Sequence, residues 1–221
     1  MAAFVVLAAA CPVVRAQPAP ELTVRFTVFS AVPVEGLLAG LKPDAPREPV
    51  VFYPTARSPL YTYQGSNPLR FYRVRATGVA ADPGFELAAE VVIPPTVHEA
   101  LLLFAPVAPR EGPRYRVYVL ADGVAHHAPG WIAIINFSGL ALGGTIEAKA
   151  VALKDGLNPP VNIGRSAKIV LRTPFNGRSY QSYADTVELG RGERALLILF
   201  PPYRAGSLEV QSRLLRDEPG G

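Results

Sequence analysis

The chain has 221 residues, 49% of them hydrophobic and 18% charged, a balance that supports folded cores and excludes a disordered chain. Its 23 prolines and 19 glycines follow no short period, which excludes a collagen-like fibre and favours many turns between short strands. A formal charge of +4 without a clustered basic stripe argues against nucleic acid as a partner, and a single cysteine excludes a disulfide framework.

The N-terminus, MAAFVVLAAACPVVRAQPAP, carries an apolar run from Ala2 to Ala10 that is too short to span a bilayer as a helix. Val14-Arg15-Ala16 follows in the small-x-small pattern of a signal-peptidase site, so residues 1–16 are expected to be a removed signal peptide. No Lys or Arg precedes the run, which leaves an upstream start open, and Leu7 to Cys11 loosely resembles a lipoprotein processing box, so lipidation of Cys11 and an unprocessed N-terminus are the alternatives. Export to the periplasm, cell envelope or extracellular space is expected, with no transmembrane segment beyond the signal. Cleavage after Ala16 removes the only cysteine and Arg15, leaving a formal charge of +3 and no thiolate nucleophile or cysteine metal ligand.

Leu22 to Phe29 alternates in the period of a half-buried strand. Val50–Tyr53, Leu69–Arg75, Phe85–Ile93, Ala100–Phe104 and Tyr115–Leu120 follow, each bounded by Pro, Gly, Asn or Asp. A second series opens at Trp131: Trp131–Phe137, Gly144–Leu153, Ala167–Thr173, Ser182–Leu189, Ala195–Phe200 and Ser207–Leu215. The order repeats. FSAVPVEG from Phe29 matches FSGLALGG from Phe137 at an offset of 137 − 29 = 108, and EALLLFAP from Glu99 matches RALLILFP from Arg194 at 194 − 99 = 95, with Leu120 and Asp122 against Leu215 and Asp217. Short strands in units of about 95 residues bury both apolar faces only by packing sheet on sheet. The expected fold is all-β, two tandem antiparallel β-sandwich (immunoglobulin-like) units over residues 17–123 and 124–221. ALLLF and ALLILF, apolar on both faces, are the expected central strands.

Ile134 to Ser138, Gly143-Gly144 and Ala195 to Pro202 reproduce a strand, an F-S turn, a glycine and a Leu-rich strand ending in Pro. In this the chain resembles exported bacterial tandem β-sandwich proteins of uncharacterised function. The resemblance implies the fold and the exported location and carries over no catalytic or binding residue.

Chemistry-bearing patterns are sparse. His126-His127, with Asp122 near, reads as an exposed linker between the halves, because adjacent residues of a strand point to opposite faces and rarely chelate one ion. There is no Gly-x-Ser-x-Gly elbow and no Ser-x-x-Lys, and Gly143-Gly144 and Gly190-Arg191-Gly192 read as turns without the context of a phosphate loop. Glu86, Glu90, Glu147, Asp185 and Glu188 read as solvent-facing strand positions, the sequon at Asn136 falls inside a strand, and Trp131 reads as packing between the halves. No metal, cofactor or catalytic residue is expected. The one cluster with binding chemistry is Tyr53, Arg57, Tyr61, Tyr63, Arg70, Tyr72, Arg73 and Arg75, with Arg114, Tyr115, Arg116 and Tyr118 further on, where aromatic and guanidinium groups interleave. Alternation puts Arg70 and Tyr72 on one face of their strand and Arg73 and Arg75 on the other. The candidate ligand residues are therefore Arg70, Tyr72, Arg73, Arg75, Tyr61 and Tyr63. The expected function is a non-enzymatic structural or binding component with a protein partner or surface glycan. The alternatives are a carbohydrate or polyanion-binding module using that sheet face, and a hydrolase with a site assembled from scattered residues.

Overall fold

The structure, a computed structural model, describes residues 21–75, 84–107 and 113–217. The leader, with Cys11 and the expected cleavage site, lies outside them. The first half contains β1 (Glu21–Ser30), β2 (Leu38–Ala39), β3 (Glu48–Pro49), β4 (Tyr61–Ser66), β5 (Leu69–Val74), β6 (Phe85–Val91), β7 (Glu99–Pro106) and β8 (Tyr115–Ala121). The second contains β9 (Trp131–Asn136), β10 (Leu142–Ile146), β11 (Lys149–Leu153), β12 (Gly156–Asn162), β13 (Ser166–Phe175), β14 (Arg178–Glu188), β15 (Arg194–Phe200) and β16 (Gln211–Asp217). Among the described residues no helix is long and apolar enough to cross a membrane.

The two halves share one topology. In the first, one sheet runs β4-β1-β7-β8 and the other β3-β2-β5-β6; in the second, the orders are β12-β9-β15-β16 and β11-β10-β13-β14, each strand displaced by eight. Pairing is antiparallel except for one parallel pair in each half, β1 with β7 and β9 with β15. The fold is two tandem β-sandwiches, and the repetition extends to irregularities. A bulge falls at Ala88 opposite Phe71 and Tyr72, and another at Ser182 opposite Leu171 and Arg172. The bulged carbonyls accept the N–H of Arg114 and of Val210, tying the outer sheet to the segment before the last strand in both halves.

Register corrects the sequence alignment of the first strands. Ser30 lies beside Phe104 and Asn136 beside Leu199, so the equivalence is Ser30 with Asn136, an offset of 136 − 30 = 106 rather than 108. Both residues are buried at a strand end, and each side-chain oxygen accepts the N–H two residues on, from Val32 and from Ser138. The sequon asparagine is thus a turn-former, its Oδ1 also taking the Ser138 hydroxyl and its Nδ2 donating to the Leu140 carbonyl.

The sheets containing β7 and β15 are inner layers, packed on both sides, and this accounts for the doubly apolar strands. Along β7, Ala100, Leu102 and Phe104 join the core of the first sandwich, while Leu101 and Leu103 join a third core between the halves. Along β15, Ala195, Leu197 and Leu199 face the second sandwich, while Leu196 and Ile198 face the third core. Phe29 and Leu120 meet their counterparts Ile135 and Leu215 there. Trp131 is half-buried at the start of β9 and stands outside this core, so it is not the packing residue between the halves.

A ring of four charges closes one end of that interface. Arg57 and Asp122 come from the first half, Arg194 and Asp217 from the second. Arg57 pairs closely with Asp122 and lies 3.6 Å from Asp217, and Arg194 stands 3.1 Å from Asp122 and 2.6 Å from Asp217.

Candidate functional site

Alternation along β5 buries Leu69 and Phe71 and turns Arg70 and Tyr72 outward, as the spacing requires. Arg47, from the segment before β3, lies across the same outer face. Its guanidinium carbon sits 4.4 Å from the ring centre of Tyr72 and 4.3 Å from that of Phe85, a cation held by two aromatic faces. Arg47, Arg70, Tyr72, Tyr63 and Ser66 line a recess of about 320 Å³. Among the described residues Arg47 makes no ion pair, whereas Arg70 is 3.5 Å from Glu90 in a half-exposed pair. Such a pair contributes at most about 1 kcal/mol and opens readily to a competing anion.

The recess thus gathers Arg70, Tyr72 and Tyr63 from the candidate set and adds Arg47. It does not gather the others. Tyr61 stacks on Phe26 at 5.5 Å and its hydroxyl accepts the Val51 N–H, so its ring belongs to the sandwich core. Arg73 lies opposite Glu86, and Arg75 stands exposed beyond the strand end. Tyr63 is buried and donates its hydroxyl to the Ser66 carbonyl at 2.5 Å, and burial raises its pKa above the ordinary phenol value. Arg57 leaves the cluster altogether for the ring between the halves. The signal for that ring was the matched pair Asp122 and Asp217; the arginines gave none, since Arg194 stands where the first half has Glu99.

Two further recesses flank the contact between the inner sheets. The larger, about 510 Å³, is walled by Val32, Pro33, Val34, Phe52 and Tyr53 and carries one guanidinium, Arg213, and one carboxylate, Glu35. The other, about 270 Å³, lies over Leu120, Asn158 and Leu196 and touches Asp122, His126 and His127. The outer-face recess is favoured over both because convergent polar groups, rather than volume, decide what a site recognises.

His126 is exposed as a linker residue should be, but His127 is not: it is 4% exposed, its Nε2–H donating to the Trp131 carbonyl at 3.2 Å while its own carbonyl accepts from Arg194 at 2.9 Å. Closure of the interface around Arg194 pulls it inward. Among the described residues no three His, Cys, Asp or Glu side chains are arranged to hold a metal. Burial, first, and the charge of Arg194 lower the His127 pKa below 6.5. The unfolded chain therefore takes up this proton first as pH falls, so stability is full above about pH 6.5 and declines below it as pH drops toward the folded pKa. Denaturant midpoints should fall between pH 7.5 and pH 5, and His127→Gln should flatten that dependence; equal slopes in both proteins would refute this assignment.

No known family model matches the chain, and no curated protein is detectably similar to it.

Proposed function

We propose that this chain is an exported, non-catalytic binding protein of the cell envelope or extracellular space, and that the Arg47, Arg70 and Tyr72 recess takes an acidic carbohydrate. The observation that supports this most is Arg47, whose guanidinium is oriented by two rings and has no carboxylate partner among the described residues. A stacked guanidinium keeps its in-plane N–H groups free, and their fork matches a carboxylate or sulfate in bidentate fashion. Arg70 adds a second cation and the half-buried Tyr72 a flanking ring, a combination suited to a sugar that is apolar on one face and anionic at its edge.

The test is retardation of the full-length protein in gels containing polygalacturonate, dextran sulfate or a neutral glucan. The wild type should be slowed by the acidic polymers, less so as salt rises. Arg47→Ala with Arg70→Ala should weaken retention at least about tenfold, and Arg47→Lys should fail to restore it because a point charge does not reproduce the fork. Equal mobility of wild type and variant in every gel would refute the reading.

A further inference from the structure

The β13–β14 hairpin outruns its sheet. β10 pairs only with Ile169 to Arg172, whereas the β13–β14 ladder continues through Thr173, Pro174 and Phe175 against Tyr180, Ser179 and Arg178. Asn176 and Gly177 close it with φ of 49° and 73°, the two positive values of a type I′ turn whose twist matches the strands. Thr173 anchors the base, buried and donating its hydroxyl to the Ala141 carbonyl at 2.9 Å.

Alternation puts Ile169, Leu171, Thr173 and Phe175 on the face that lines the second core, with Tyr180 opposite Thr173 and Arg178 opposite Phe175. Past Thr173 that face runs out from under the inner sheet. Phe175 is 52% exposed and Tyr180 39%, and their rings meet edge-on with centres 6.4 Å apart at 67°. Arg178 stands exposed on the same face, and the stretch from Arg172 to Gln181 contains two arginines and no acid.

We infer that this hairpin face is a second subsite for acidic polysaccharide. Edge-on rings on a rigid ladder give the apolar face of a sugar a stacking surface, and Arg178 gives its carboxylate a bidentate partner. An anionic occupant fits because no acid on the hairpin tip opposes it. The hairpin is the topological counterpart of β5–β6, but Arg70 and Tyr72 face outward there, whereas Phe175, Tyr180 and Arg178 lie on the core-side face, so the two subsites are not equivalent positions of the repeat. The inference rests on the acidic-carbohydrate reading of the first recess and adds avidity: a polymer reaching both subsites is held more tightly than a short oligomer that occupies one.

Titration calorimetry of the full chain with polygalacturonate and with trigalacturonate tests it, using Phe175→Ala with Tyr180→Ala beside Arg47→Ala with Arg70→Ala. Both aromatic side chains are exposed, so thermal unfolding of their double variant should match the wild type. The expected result is a loss of roughly 10²-fold in polymer affinity for the aromatic variant, with trimer binding at the recess retained. Unchanged polymer affinity in that variant, with a loss in the arginine variant, would overturn the second subsite and leave the recess standing. A loss confined to the aromatic variant would support the hairpin and remove the recess, and no binding of either ligand by the wild type would overturn both.

Discussion

Arg194→Ala should be among the most destabilising substitutions in the molecule, by about 3–5 kcal/mol, with the midpoint of urea unfolding lowered accordingly. The side chain is 4% exposed and every bond it makes crosses or braces the interface. Its Nε donates to Asp217 at 3.0 Å, its Nη1 to the Asp122 carbonyl at 2.6 Å and to the His127 carbonyl at 2.9 Å, and its Nη2 to both carboxylates. Truncation leaves Asp122 and Asp217, whose side chains are only 13% and 26% exposed, sharing Arg57 alone. The cost is that of orphaned charge rather than the net worth of the ion pairs, a distinction that can be measured. Replacing all four together, as R57M/D122L/R194M/D217L, removes the charges and the desolvation they require, and should recover most of the loss. A quadruple variant no more stable than Arg194→Ala would show instead that the pairs themselves hold the halves. Arg194→Lys should fall between, because one ammonium with three N–H donors cannot serve two carbonyl and two carboxylate groups spread around the site.

The parts of this architecture that were legible in the sequence are those where one residue pattern admits one environment. ALLLF and ALLILF have no polar position to give to solvent, and they are the central strands; that one of their apolar faces meets the other half, through Leu101, Leu103, Leu196 and Ile198, was not read from the pattern, which does not say what covers each face. Strands carried by pairing rather than composition were not legible. β2 and β3 are two residues each, and β12, GLNPPVN, contains two prolines that are tolerated because the strand lies on a sheet edge with its register broken between Asn158 and Val161. VVFY has strand composition and forms none: the Val50 N–H bonds the Leu37 carbonyl, but Pro54 ends the run before a ladder is built. The site divides the same way. Arg70 and Tyr72 follow from alternation, whereas Arg47 lies 72 − 47 = 25 residues before Tyr72 and reaches its ring only because the β2–β3 segment folds over the outer face.

Gly144→Ala should destabilise by about 3 kcal/mol or more, while Gly143→Ala, one residue away, should change stability by less than about 1 kcal/mol. The pair reads as a turn in sequence, yet both residues are inside β10, with Gly143 opposite Arg172 and Gly144 opposite Leu171. A Cβ on Gly143 would meet nothing nearer than the Val151 carbonyl oxygen at 3.5 Å, an ordinary contact, and alanine would also narrow the unfolded ensemble. A Cβ on Gly144 would lie 1.9 Å from the Val170 carbonyl oxygen and 3.0 Å from the Leu171 Cα. Both obstacles are backbone, so no rotamer relieves them, and β10 would have to move off β13 and give up ladder bonds. The first half meets the same demand in a different way: Ala39 faces Phe71, the counterpart of Leu171, and is fully buried with the smallest side chain that carries a Cβ. Similar midpoints for the two alanine variants would mean that β10 can shift without loss. A large difference would show that close backbone approach, invisible to any hydrophobic pattern, is what this glycine supplies to the outer sheet from which the β13–β14 hairpin projects.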